Sequence, residues 1–292
     1  MARVLRFSFR SGPSRVLLSL LLLAAQSAPA LAASLRFLAT ADSGSGDANQ
    51  RAVGLQMARI HRQNPVELVI MAGDNIYPSG DLSLLETTMR RPYRELIAAK
   101  VPFHAVLGNH DIRSDNGNGQ LKEPLLGMKG RWYVLRRGPV DLFMIDTNVN
   151  ADWKQQLPWL QGVLAASRAP WKVVVGHHPI VSSGLYGDDR AAQRRLGPLF
   201  ERYGVQLYIN GHEHHYERSV PIRGTTYLIV GGGGAALRPV QPRPTTARAL
   251  SRFSFAELDA SDDSLTIRGW DAQGQLIDQT RLSAPTHRSM AQ

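Results

Sequence analysis

Polar residues that can bind metal ions or move protons follow five short apolar runs of this sequence. The five stretches read ADSG at 41–44, GDNIY at 73–77, GNHD at 108–111, GHHP at 176–179 and GHEHH at 211–215. They hold six of the nine histidines, and four of the five begin with a glycine, which lets the backbone turn sharply before a polar residue. Because buried carboxylates and imidazoles without partners are costly, a shared ligand explains this pattern better than turn formation alone.

The types of these residues predict a site for two metal ions. The chain has no cysteine, which excludes disulfides and thiolate metal sites and leaves oxygen and imidazole ligands. Two aspartates, an asparagine, a tyrosine and three or more histidines exceed what one ion needs. An aspartate has two oxygens that can bridge ions about 3.5–4 Å apart, as in two-metal hydrolytic sites.

The elements that must position these residues alternate between strand and helix in the first two-thirds of the chain. Apolar runs such as VELVIM at 66–71 predict strands, and helical spacing over 47–63 predicts a helix behind an Asp47 cap. After residue 215 the pattern is mainly that of antiparallel strands, with a Pro/Arg-rich loop expected at 238–249. This order predicts an α/β fold, in which ligands bind beyond the carboxyl ends of the strands.

The N-terminus has the features of a secretory signal peptide over residues 1–32. Four arginines and no acidic residue precede the apolar run VLLSLLLLAA at 16–25, and small residues at Ala30 and Ala32 form a cleavage pattern. The run is short for a membrane span, so an uncleaved anchor is the less favoured alternative. We therefore expect a periplasmic or secreted protein with one domain at 33–284, no membrane span after cleavage, and a frayed tail at 285–292.

The chain is basic, and this charge favours anionic partners. The formal net charge is +10, and removing the four arginines of residues 1–32 lowers it to +6. The basic pairs are scattered and no aromatic residues interleave them, so we expect no specific nucleic-acid binding.

The five stretches, in this order, resemble the motifs D-x-G, G-D-N-x-Y, G-N-H-D, G-H-x-P and G-H-x-H of the calcineurin-like metallophosphoesterases. Within that superfamily the chain is similar to the purple acid phosphatases, especially the small tartrate-resistant type, over about residues 35–282. Many metallophosphoesterases have a metal-binding histidine where this chain has Gly44, and Tyr77 is expected to supply the missing ligand. The resemblance implies a four-layer α/β/β/α sandwich, with βαβ units followed by a mainly antiparallel C-terminal part.

The resemblance also implies two sets of metal ligands. The first set, which would hold Fe(III), is Asp42, Asp74, Tyr77 and His214. The second set, which would hold divalent Fe, Zn or Mn, is Asp74, Asn109, His177 and His212, with Asp74 bridging. Carboxylate and phenolate ligands suit a trivalent ion, whereas a neutral amide and imidazoles suit a divalent one.

The implied activity is hydrolysis of phosphate monoesters by a metal-activated hydroxide. His110 is expected to bind phosphate or protonate the leaving oxygen, a structural histidine being the alternative. The substrate-contacting histidine that relatives often carry after G-H-x-P is missing from IVSSGLYGDD at 180–189, where Tyr186 is the nearest candidate for substrate binding. Two alternatives are a phosphodiesterase on the same scaffold and a non-catalytic basic module that binds metal or anions.

Overall fold

In a computed structural model, which describes residues 33–284 together with residues 1, 2 and 8, the apolar runs form the strands of two β-sheets. The predicted signal peptide, apart from those three residues, and the predicted tail lie outside the described residues. Among the helices of the described residues, none combines the length and the apolar character that a bilayer crossing needs.

Strands and helices alternate along the first part of the described chain, and strands dominate the last part. The strands are β1 (Ser34–Thr40), β2 (Leu68–Met71), β3 (Phe103–Ala105), β4 (Tyr133–Arg137), β5 (Val140–Met144), β6 (Trp171–Val175), β7 (Leu207–Asn210), β8 (Tyr216–Ser219), β9 (Thr226–Val230), β10 (Thr246–Leu250), β11 (Ser254–Ser261), β12 (Ser264–Asp271) and β13 (Leu276–Ser283). The α-helices are α1 (Ala48–Gln63), α2 (Arg94–Ala98), α3 (Asn118–Lys122), α4 (Trp153–Ala166) and α5 (Arg190–Tyr203).

Each sheet contains a parallel block that carries candidate site residues. The first sheet has the order β13-β12-β11-β1-β2-β3, and β1, β2 and β3 are parallel. The second has the order β10-β8-β9-β7-β6-β5-β4, and β5, β6, β7 and β9 are parallel. The remaining pairs in both sheets are antiparallel.

The two sheets pack face to face, and helices cover their outer faces. The central core joins residues of both sheets, such as Phe37 and Ile70 with Val173. Val174, which points the other way along β6, packs on the opposite face with Leu160 of α4 and Phe200 of α5. Residues of α1 and α2 pack similarly on the outer face of the first sheet. The predicted α/β/β/α sandwich is therefore confirmed, and burial on both faces explains the three consecutive valines at 173–175 in β6.

Local signals predicted some elements well and others poorly. Helix α1 begins behind Asp47, whose carboxylate accepts hydrogen bonds from the N–H groups of Asn49 and Gln50, as expected. The Pro/Arg-rich loop is shorter than predicted, because its last four residues, 246–249, belong to β10. Thr246–Leu250 pairs with β8, and this long-range partner overrides the weak strand preference of the segment.

Candidate metal centre

The five polar stretches follow the carboxyl ends of five strands in the two sheets. Those that carry Asp42, Asp74 and Asn109 come after β1, β2 and β3, and those that carry His177 and His212 come after β6 and β7. Adjacent parallel strands end at the same edge of a sheet, and the two sheets face each other, so these side chains meet in space. One donor atom each of Asp42, Asp74 and His177 lies within 4.8 Å of the others.

The four residues predicted to hold the first ion converge on the hydroxyl of Tyr77. This oxygen lies 2.9 Å from Asp74 Oδ2, 3.2 Å from Asp42 Oδ1 and 3.3 Å from His214 Nε2. His214 Nε2 lies 3.5 Å from Asp42 Oδ1. With metal–ligand bonds of about 2.0–2.2 Å, neighbouring ligand atoms of one ion lie roughly 3–3.5 Å apart, so this spacing fits a single cation.

The four residues predicted to hold the second ion form an adjoining group. Asn109 Oδ1 lies 2.8 Å from His212 Nδ1 and 3.1 Å from His177 Nε2. His177 Nε2 lies 3.5 Å from Asp74 Oδ2, the same oxygen that contacts Tyr77. Asp74 Oδ2 therefore belongs to both groups, which is the position that a bridging ligand needs.

Hydrogen bonds outside the two groups orient the donor atoms toward them. Nδ1 of His177 donates to the carbonyl of Ala72 over 2.9 Å, and Nδ1 of His214 donates to that of Ala236 over 2.8 Å. A proton held on Nδ1 leaves the Nε2 lone pair of each ring facing the cluster. Each aspartate also accepts a backbone N–H on its other oxygen, Asp42 from His212 and Asp74 from His110, both over 2.8 Å.

Burial makes the cluster suited to a positive ion. The side chains of Asp42 and Asp74 are fully buried, and burial, with the charge of Asp74, raises the pKa of Asp42 to about 6. Burial and then the charges of the two aspartates raise the pKa of the Tyr77 hydroxyl far above its ordinary value. Anionic forms of these groups are costly here without a cation, so the donor set fits a bound metal and gains from one.

The backbone is strained at three of the predicted ligands. Asp42, Asp74 and His212 have φ angles of +53°, +54° and +68°. Non-glycine residues rarely adopt this left-handed region, and such strain collects at functional sites, where the surrounding structure holds it.

Gly44 allows the close approach of two loops that places the phenol of Tyr77 beside Asp42. A Cβ atom at this position would lie 2.2 Å from the carbonyl oxygen of Asn75, so no side chain fits there. The close approach brings the loop after β1 against the loop after β2. The N–H of Tyr77 donates to the carbonyl of Gly44 over 2.9 Å, which holds the phenol beside Asp42.

His110 lies at the rim of the first group. Its ring centroid is 4.5 Å from that of Tyr77, and its Nδ1 donates to the carbonyl of Pro78 over 2.7 Å. The Arg113 guanidinium donates to its Nε2 over 3.2 Å. In this arrangement Nε2 of His110 accepts a hydrogen bond. A proton on Nε2 would displace the Arg113 guanidinium.

Tyr186 lies against the second group. Its ring stacks on that of His212, with centroids 4.8 Å apart and planes 24° apart, and the residue is 56% exposed. The structure thus brings the predicted substrate residue to the cluster through the face of its ring. His178 adjoins this group as well, because donor atoms of His177, His178 and His212 lie within 4.8 Å of one another.

Sequence reasoning assigned no role to three residues that shape the site. Buried Asp111, visible in G-N-H-D, accepts hydrogen bonds from the N–H groups of Asn75 and Gly108 and so joins the second and third loops. Glu213, which stands between two predicted ligands, accepts the N–H of Tyr186 over 2.6 Å. Arg238 donates to the carbonyl of His212 over 2.8 Å, and no motif signal marked it.

Comparison with known proteins agrees with this geometry. The family of calcineurin-like phosphoesterases matches residues 35–216 of the chain. Purple acid phosphatase 4 of Arabidopsis thaliana is 33% identical over 287 aligned residues, which cover 86% of this chain and 84% of that protein. The chain belongs to the purple acid phosphatases.

The size of one further relative and the fold of a solved purple acid phosphatase agree as well. Human tartrate-resistant acid phosphatase type 5 is 26% identical over an alignment that covers 90% of this chain and 97% of that enzyme. The structure of a purple acid phosphatase from yellow lupin seeds superposes with a TM-score of 0.77 at 20% identity, covering 90% of this chain and 58% of the lupin chain. The predicted family is confirmed, and the protein is a metal-dependent hydrolase of phosphoric esters.

Proposed function

We propose that this purple acid phosphatase acts outside the cytoplasm and hydrolyses phosphate monoesters with two metal ions bound at the strand ends. The observation that carries the proposal is the position of Asp74 Oδ2, which lies 2.9 Å from the Tyr77 hydroxyl and 3.5 Å from His177 Nε2. A carboxylate that lies between two ligand groups can bridge the two ions of a dinuclear centre.

The chemistry of the two groups supports different ions. Asp42, Tyr77 and the shared Asp74 offer anionic oxygens, which favour Fe(III), with His214 as the fourth ligand. Asn109, His177 and His212 add neutral donors to Asp74, which favour divalent Fe, Zn or Mn. When bound, such ions supply Lewis acidity toward a phosphate ester and lower the pKa of water enough for attack near or below neutral pH.

At the rim of the first ligand group, Arg113 is proposed to bind the phosphate group of the ester and His110 to protonate its leaving oxygen. While Arg113 donates to Nε2, the imidazole keeps its proton on Nδ1, toward the Pro78 carbonyl. An incoming phosphate group competes for the guanidinium, which frees Nε2 to take up a proton. The imidazolium can then donate that proton to the leaving oxygen.

Export is proposed from the N-terminal sequence alone. The order of arginines, leucines and small residues in 1–32 is typical of a cleaved signal peptide. Protein recovered from the periplasm or the medium should begin at or near Ala33. Recovery in the membrane fraction with Met1 or Ala2 at the N-terminus would overturn export with cleavage.

A direct test combines metal analysis with two esters of one phenol. The purified protein should contain two metal ions per chain and release nitrophenol from nitrophenyl phosphate much faster than from the bis(nitrophenyl) diester. Asp42→Ala should lose metal and activity, whereas Asp262→Ala, at the exposed turn between β11 and β12, should lose neither. Faster turnover of the diester would favour a phosphodiesterase, and metal binding without phosphate release would favour a non-catalytic module.

A further inference from the structure

Arg238 and Tyr186 form a surface next to the cluster that the proposed chemistry does not use. The guanidinium carbon of Arg238 lies 5.1 Å from the centroid of the Tyr186 ring, and this ring stacks on His212 at 4.8 Å. The two side chains come from separate loops, one after β6 and one after β9. A cation and an aromatic face therefore stand together at the edge of the second ligand group.

Two backbone contacts fix Arg238 in this position. Its Nη1 donates to the carbonyl of His212 over 2.8 Å, and its N–H donates to the carbonyl of His214 over 3.1 Å. The residue is thus tied to the same loop that presents two predicted ligands. Its side chain is 25% exposed, so the guanidinium is both held and open to solvent.

The guanidinium retains capacity to bind an anion. Glu213 is its nearest carboxylate among the described ion pairs, but Glu213 Oε2 lies 3.9 Å away, beyond hydrogen-bond distance. A guanidinium has five N–H donors, and the hydrogen bond described for this one uses Nη1. The ion pair with buried Glu213 therefore leaves N–H donors of the guanidinium available for a second anion.

The position of Arg238 indicates which part of a substrate it meets. It contacts the backbone of His212 and the ring of Tyr186 rather than the metal-facing atoms of the ligands. In a phosphate monoester everything outside the phosphoryl group belongs to the leaving group, so a further substrate group bound there is part of the leaving group. We infer that Arg238 and Tyr186 form a leaving-group subsite that selects phosphate esters whose leaving group carries a second anionic group. This inference rests on the proposed phosphatase activity.

The chemistry of the pair supports that selection. A guanidinium binds phosphate, phosphonate and carboxylate oxygens through charge-assisted hydrogen bonds, often in bidentate geometry. The partly exposed ring offers a flat surface to the carbon skeleton between the two anionic groups. Stacking of the ring beneath the guanidinium also restrains the arginine before substrate arrives, which lowers the entropy lost on binding.

The test compares two phenyl esters that differ in one remote anion. The substrates are phenyl phosphate and 4-(phosphonomethyl)phenyl phosphate, at constant ionic strength. Arg238→Gln should lower the ratio of kcat/KM for the dianionic leaving group over the neutral one by about 10- to 100-fold, the loss of one charge-assisted hydrogen bond. Arg238→Lys should lie between Arg238→Gln and the wild type, because it keeps the charge but not the planar fork. Arg190→Gln, at the start of α5, controls for net charge and should keep the wild-type ratio.

The outcomes separate this inference from the proposed function. An Arg238→Gln variant that keeps its metal content and the wild-type ratio, or that loses activity equally on both esters, overturns the leaving-group subsite. A wild-type protein that hydrolyses neither ester overturns the proposed function. In that case calorimetric titration with 4-(phosphonomethyl)phenyl phosphate still tests the subsite by its affinity for this ester. Equal affinity of wild type and Arg238→Gln overturns the subsite, and weaker binding by the variant supports it.

Discussion

The N–H of Tyr77 donates a hydrogen bond to the carbonyl of Gly44 over 2.9 Å, and this contact ties the loop after β2 to the loop after β1. A side chain at 44 would meet the carbonyl oxygen of Asn75 at 2.2 Å. The position of the phenol therefore depends on the absence of a side chain at 44. Gly44 allows the loop after β1 to contact the loop after β2, and the second of these loops carries Tyr77.

Gly44→Ala should therefore disturb both stability and metal binding. Overpacking against backbone costs about 1–3 kcal/mol, and separating the loops withdraws Tyr77 from Asp42. Urea unfolding and iron analysis measure the two effects. Gly162→Ala in α4 is the matched control, since nothing lies within 4 Å of its added Cβ, and it should be neutral or stabilising. Unchanged stability and iron content in Gly44→Ala would contradict the close contact.

Tyr77→Phe should abolish visible colour while the fold stays intact. The hydroxyl lies within 3.3 Å of Asp74, Asp42 and His214 donor atoms, where a trivalent ion would ionise it. A phenolate bound to Fe(III) gives a visible charge-transfer band, so the oxidised wild type should be purple to pink. Visible absorption spectra of wild type and Tyr77→Phe test this prediction. Tyr186→Phe is the control and should keep the band. A colourless wild type that holds two divalent ions would show that Tyr77 is not a metal ligand.

Asp74→Ala and Asn109→Ala should differ in the metal that they lose. Asp74 Oδ2 contacts both ligand groups, so its removal should empty both sites and abolish activity. Asn109 Oδ1 contacts His177 and His212, so its removal should weaken mainly the divalent site. Elemental analysis of purified variants measures this difference. The bridging assignment fails if Asp74→Ala stays fully loaded while Asn109→Ala loses both ions.

His110→Ala should slow esters with poor leaving groups far more than esters with good ones. Loss of proton donation to the leaving oxygen costs about 10²–10⁴-fold, and a good leaving group needs no such proton. A series of aryl and alkyl phosphates gives the dependence, and metal content should not change. A uniform loss over the series would limit His110 to phosphate binding.

Glu217→Gln should destabilise the protein near neutral pH and less so in acid. Glu217 accepts hydrogen bonds from His215 and from the N–H of Ser183, both over 2.9 Å, beneath the loop that carries Tyr186. Burial alone would raise the pKa of Glu217, but these hydrogen bonds outweigh it and bring the pKa below its ordinary value of 4.5. A depressed pKa contributes stability above that value, and the contribution is lost as pH falls through the folded-state pKa.

Glu217→Gln should therefore lower the free energy of unfolding by about 1–3 kcal/mol at pH 7, the usual effect of losing hydrogen bonds to a charged group. This difference between wild type and variant should become smaller at pH values below the ordinary pKa of a glutamate. Urea unfolding of wild type and variant across this pH range measures the difference. Glu201→Gln, whose partner Arg223 is exposed, should cost less than about 1 kcal/mol. A difference in free energy of unfolding that grows as the pH falls would contradict a lowered pKa for Glu217.

Local sequence patterns were enough to predict which residues follow the strands and in what order the strands and helices occur. Apolar runs and helical spacing are local patterns, and parallel strands end at one edge, so Asp42, Asp74 and His177 could be expected to meet. The resemblance to the metallophosphoesterase motifs also implied that a phenol takes the place of a histidine. Localisation and the identity of the two ions stay predictions.

Contacts between loops that no local pattern links became visible only in the folded protein. Tyr186 meets His212 through its ring face, and Arg238 reaches both from a Pro/Arg-rich segment without a motif. Asp111 was visible in G-N-H-D, yet its partner Asn75 lies 36 residues away. Such contacts depend on how two sheets pack and where long loops return. Their energies come from partners distant in sequence, so composition and periodicity do not reveal them.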